Sequence, residues 1–83
     1  METRIAVISI IIENNDASEE LNRILHQYAD DVVGRMGVPY RQKGVSVICV
    51  ILDAPQDRIS ALSGKLGMLP GVTSKTIYSK LNQ

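Results

Sequence analysis

Two apolar runs set the limits on how this chain folds: Ile5-Ala6-Val7-Ile8-Ser9-Ile10-Ile11-Ile12 and Val45-Ser46-Val47-Ile48-Cys49-Val50-Ile51-Leu52. Successive side chains of a strand point to opposite faces. A strand wetted on one side alternates apolar with polar residues, and neither run does so. Ile5, Val7 and Ile11 point one way, while Ala6, Ile8, Ile10 and Ile12 point the other. In the second run Val45, Val47, Cys49 and Ile51 oppose Ile48, Val50 and Leu52. Both strands therefore read as buried on both faces. The remainder of the chain has two faces to cover.

At 83 residues the chain is a single domain, 1–83, with no room for a second core. A domain this small nets only about 3–5 kcal/mol from its own core, and such domains often add disulfides, metals or oligomerisation. One cysteine excludes an intrachain disulfide and suits a reducing cytoplasm. No metal constellation is visible, which leaves oligomerisation. Nine basic and nine acidic residues balance, which argues against a general electrostatic grip on nucleic acid or anionic lipid. The charges are nonetheless polarised: six acids fall in residues 13–31 and seven bases at or after Arg35. The apolar runs are far shorter than the roughly 20 residues a membrane-spanning helix needs. No signal peptide is evident, so a soluble cytoplasmic protein is expected.

Local patterns supply the elements in order. The first strand covers about residues 4–13. Asp16, with Glu19 three residues on, reads as a capping box for a helix that continues to about Asp31. Leu21, Ile24, Leu25 and Tyr28 form its apolar stripe. A second strand, residues 32–36, leads into a loop between glycines, 37–44, and a third strand, 45–53. Pro55 suits the first turn of a second helix, whose inward stripe is Ile59, Leu62 and Leu66, and Gly67 is its C-terminal stop. Pro70-Gly71 turns the chain into a last strand, 72–79, with the lysines and hydroxyls of a sheet edge.

This order predicts an α+β, ferredoxin-like βαββαβ arrangement with a four-stranded antiparallel sheet and two helices on one face. Helical crossovers are expected to join parallel neighbours, and the middle loop an antiparallel pair. The first and third strands take the central positions. One face of the sheet stays bare, and the expected cover is another copy of the chain. A dimer or tetramer would satisfy that need.

Familiar site chemistries fit poorly. His26 and Cys49 are the strong transition-metal donors. His26 lies about 140° round the first helix from Leu21, facing solvent, and Cys49 reads as a core cysteine. The central strands lack the aromatics on which RNA bases stack, and the chain has no Phe or Trp. No base accompanies a serine or cysteine nucleophile, and the 13–18 turn lacks a phosphate-cradling glycine. No enzyme, no metal site, no cofactor and no direct nucleic-acid binding are expected. Two candidate sites remain. Arg35, Tyr40, Arg41 and Lys43 could hold a small anionic ligand, since guanidinium forks suit carboxylate and phosphate. Ser60, Gly64 and Gly67 form a lane of small residues on the second helix where another chain could approach closely.

The segments Arg4-Ile5-Ala6-Val7-Ile8-Ser9-Ile10, Gly34-Arg35-Met36-Gly37-Val38-Pro39-Tyr40, Asp53-Ala54-Pro55 and Ala61-Leu62-Ser63-Gly64-Lys65-Leu66-Gly67, with Leu69-Pro70-Gly71-Val72, carry a resemblance. They resemble a bacterial family of short proteins labelled as regulators of the iron-only hydrogenase system. The resemblance implies the ACT-like form of the ferredoxin topology, similar to the C-terminal domain of nickel-responsive repressors, and oligomers built through the sheets. The histidine set of the nickel-responsive domain is absent here. Asn14, Asn15 and Asp16 stand where amino-acid-binding ACT domains carry a glycine. The first strand opens almost at Met1, so no preceding DNA-binding arm is expected. Regulation, including any transcriptional regulation, is then expected to act through a partner or a ligand.

Overall fold

The computed structural model describes residues 2–80. Its elements are β1 (Arg4–Ile12), α1 (Ser18–Gln27), β2 (Val32–Tyr40), β3 (Val45–Ala54), α2 (Gln56–Gly67) and β4 (Val72–Tyr78). Short 3-10 turns at Asn15–Ala17, Ala29–Asp31 and Arg41–Lys43 lead into α1, β2 and β3. The strand order is β2-β3-β1-β4, and all three pairings are antiparallel. The α+β sheet-and-helix arrangement is thus as read from the sequence. One expectation needs correction, because each helix joins strands that are parallel but not neighbours. β3 lies between β1 and β2, and β1 lies between β3 and β4.

The two apolar runs share the middle of the sheet in register, with Ile8 opposite Val50 and Ile10 opposite Ile48. One set of alternate residues is buried: Ala6, Ile8, Ile10 and Ile12 from β1, and Ile48, Val50, Leu52 and Ala54 from β3. Leu21, Ile24, Leu25 and Tyr28 of the α1 stripe close over this set, as do Ile59, Leu62 and Leu66 of α2. Both helices therefore lie on one face, and the core is the single apolar layer beneath them.

The ends of the elements depart from the local reading. Asp16 caps nothing with its side chain. Instead Asn14 Oδ1 accepts the Asp16 N–H at 3.0 Å, the local turn that asparagine side chains form two residues on. That turn starts the 3-10 segment, and α1 begins at Ser18 behind Ala17, without a side-chain cap. At its other end α1 stops at Gln27, and Ala29–Asp31 forms a 3-10 turn rather than more helix. β2 continues past Met36 to Tyr40. As an edge strand pairing with β3 alone, it tolerates Pro39, whose missing N–H removes no bond between central strands. Pro55 sits just before α2 in extended conformation, φ −60° and ψ 150°, where its carbonyl accepts Arg58 and Ile59. Gly67 ends α2 without a left-handed turn. Positive φ falls on Gly44 and Gly71, at 67° and 72°, where glycine has no steric penalty.

Candidate functional site

The alternate residues that the helices do not cover form the other face of the sheet. One row across it is Gly34, Ile51, Val7 and Ile77; the next is Met36, Cys49, Ser9 and Lys75; a third is Val38, Val47, Ile11 and Thr73. Val7 and Cys49 are half-buried on this face, while exposure of its other large apolar residues runs from 41 % at Val47 and Ile51 to 60 % at Ile77 and 65 % at Met36. Apart from Ser9 and Gly34, the residues of these rows on the three strands from β2 to β1 are apolar or Cys49, and Lys75 and Thr73 rim them on β4. Gly34 leaves open space above its backbone. With Val7, Arg35, Met36, Cys49 and Ile51 it lines a shallow hollow of about 440 Å³. Cys49 is half-buried on this face, its Sγ 4.0 Å from Ser9 Oγ, and is not part of the core under the helices. A flat, apolar, slightly dished surface of this kind is suited to receive another apolar surface.

The four residues predicted to hold an anion are split by the structure. Tyr40, Arg41 and Lys43 lie together at the β2–β3 hairpin, where the Tyr40 hydroxyl donates to Gln42 Oε1 at 2.9 Å. Arg35 is five residues before Tyr40, some 16 Å along an extended strand. It rises from the helix side of the sheet, donating from Nη2 to Asn22 Oδ1 of α1 at 2.9 Å. There it borders a hollow of about 250 Å³ with Asn22, His26, Ala29, Val32 and Val50. His26 is exposed as expected, yet it belongs to this groove. Asn22 escaped the sequence reading, and His26 was weighed there only as a solvent-facing metal donor, because the spacing that joins them to Arg35 appears only once β2 is placed beside α1. Ser60, Gly64 and Gly67 are all exposed along α2, and no other part of the chain comes within 4 Å of a Cβ built at either glycine. Among the described residues no group of three His, Cys, Asp or Glu side chains gathers at one point. Among the described residues no helix is long and apolar enough to cross a membrane.

Fold and surface together define a ferredoxin-like, ACT-like α+β domain that leaves one apolar sheet face uncovered. Residues 4–76 match the family described as "TM1266-like: Iron-only hydrogenase system regulator, putative", and the chain belongs to that family. A solved structure similar to it is the uncharacterized protein TM1266 from Thermotoga maritima. The two share 35 % identity at a TM-score of 0.91, over 95 % of this chain and all of that one. The C-terminal domain of the MgtC protein from Mycobacterium tuberculosis shares the fold at 14 % identity. Its TM-score is 0.70, over 96 % of this chain and 92 % of that one. A formyltetrahydrofolate deformylase from Pseudomonas putida contains a similar fold at 15 % identity and TM-score 0.63, over 87 % of this chain and 28 % of that one. These last two likenesses concern architecture alone. Comparison with the curated proteins finds no match.

Proposed function

We propose that this chain is a non-catalytic regulatory subunit of the bacterial cytoplasm that assembles with copies of itself through the helix-free sheet face. Its role lies in the assembly or control of an iron-only hydrogenase system, as the family description suggests. The observation that carries the reading is the apolar face itself. A Val, Ile or Met side chain contributes about 1.5–3 kcal/mol when fully buried. At Val47, Ile51, Ile11, Val38, Ile77 and Met36 between 41 % and 65 % of the surface is still exposed. Covering them returns a sum comparable to the about 3–5 kcal/mol that a domain this small nets alone. A second copy supplies the same surface, so a two-fold pairing satisfies both at once. Native mass spectrometry and light scattering at micromolar concentration test this. A dimer or tetramer is expected, and a lone stable monomer overturns the reading.

A second reading, response to a small anion, is favoured by Arg35. Among the described residues Arg23 pairs with Glu20 and Arg58 with Asp31, while Arg35, with no ion pair, meets the neutral amide of Asn22. Thermal shift across anionic metabolites, with Arg35→Gln and Arg41→Ala as controls, tests it. A rise in Tm that either substitution removes supports it, and no rise with any anion counts against it.

A further inference from the structure

A groove runs between α1 and the edge strand β2, on the side of the sheet opposite the apolar face. Ser18, Asn22 and His26 follow at four-residue steps along α1 and so share one side of the helix. Arg35, Gly37 and Pro39 are alternate residues of β2 and rise toward them. Two adjoining hollows of about 250 Å³ and about 270 Å³ have Asn22 in common, floored by Val50 in one and Ile48 in the other. Arg35 stands over the first of these.

Asn22 meets that arginine with one hydrogen bond. Its Nδ2 donates to the Ser18 carbonyl at 2.9 Å, while its Oδ1 accepts Arg35 Nη2 at 2.9 Å. A guanidinium carries five N–H donors, so most of them remain for a ligand. Among the described residues Arg35 forms no ion pair, and no Asp or Glu lines either hollow. In a groove lined by no carboxylate, this arginine is open to an anion from outside. His26 lines the same hollow and has an imidazole N–H to offer. Ala29 and Val32 supply apolar wall, with Val50 beneath.

We propose that this groove binds a small organic carboxylate, its head on Arg35 and His26 and its short apolar body against Ala29 and Val32. The ligand's two oxygens match the guanidinium fork, and a short branched or straight body fits a hollow of about 250 Å³. Asn22 is a positioning residue. The proposal rests on the anion-responsive reading above and names its site and ligand class.

The test is an NMR titration of the isotope-labelled full chain. Isovalerate is the probe, isoamyl alcohol its neutral counterpart, and inorganic phosphate a plain anion. Isovalerate should shift the signals of Asn22, His26, Arg35 and Val50, and the alcohol should not. Arg35→Gln should weaken isovalerate by at least about tenfold, the order expected for a lost charge-assisted hydrogen bond. Ala29→Leu, which narrows the hollow and keeps the charge, should weaken it as well. Phosphate acting equally on the same signals overturns the carboxylate assignment. Shifts confined to Arg41 and Lys43 overturn the groove and leave anion binding standing. No shift anywhere up to about 20 mM, a concentration well above weak metabolite affinities, overturns both.

Discussion

Ile51 of β3 stands directly across from Val7 of β1 on the sheet face that carries no helix, and Ile77 of β4 follows Val7 in the same row. These three side chains come from three strands and form one continuous apolar bar. Ile51→Lys places a charge in its middle, where a partner surface would have to desolvate it. The variant should run as a monomer by light scattering while keeping its circular dichroism, since the residue touches nothing under the helices. Cys49, one row away, should react with a water-soluble thiol reagent faster in that monomer than in the native assembly. Equal mass and equal thiol rates in both proteins speak against the pairing.

Gly71 holds the chain at the entrance to β4 with φ 72°, and its carbonyl accepts the Glu13 N–H at 2.7 Å. A Cβ placed there overlaps that of Asn14. Gly71→Ala therefore meets a backbone penalty of about 1–2 kcal/mol and a steric clash besides. Gly44 has a similar φ of 67° but open space around it. Gly44→Ala meets the backbone term alone. Urea denaturation should rank Gly71→Ala below Gly44→Ala, and both below the native chain.

Leu62 is fully buried between α2 and the central strands. Truncating such a leucine to alanine costs about 2–5 kcal/mol, as much as a domain of this size nets. Leu62→Ala should lose cooperative unfolding at low protein concentration. If copies associate, it should recover part of its stability as concentration rises. That concentration dependence, read by thermal melts, separates the core from the interface.

Glu20 and Arg23 form an ion pair on the exposed side of α1, with Arg23 Nε also donating to Glu20 Oε1 at 3.0 Å. The hydrogen bond from Arg23 holds the Glu20 carboxyl below the ordinary glutamate value, against a smaller opposing effect of desolvation. A depressed carboxylate stabilises the fold above its unfolded-state pKa, and the contribution is lost as pH falls through the folded value. The window is thus acidic, below the ordinary glutamate value of about 4.3. Because both groups are exposed the effect is small, and direct titration detects it better than stability does. The Glu20 carboxyl carbon should titrate lower in the native chain than in Arg23→Gln.

The strands and helices were legible because each carries its own local signal. Leu21, Ile24, Leu25 and Tyr28 recur at helical spacing, and the packed structure buries all four. Element ends were less legible, since competing short-range bonds decide them: Asn14 displaces the Asp16 cap, and pairing with β3 draws Val38 and Pro39 into β2. The anion candidates show the limit most clearly. Arg35, near the end of a short strand, and Arg41 in the loop after it look like neighbours in the sequence, but β2 runs on to Tyr40 and separates Arg35 from the hairpin turn that carries Arg41.

What the sequence determined by itself was the presence of two strands apolar on both sides, and with them a sheet that two helices cover on one side only. Alternation is a property of the strand backbone, so it can be read without knowing any partner. Only the tertiary structure decided which residues meet across elements: Ile51 with Val7 on the open face, and Arg35 with Asn22 and His26 beside α1. Those meetings depend on strand register and on how α1 lies over β2. Register and helix placement come from the packing of the whole core, a balance that no short stretch of sequence contains.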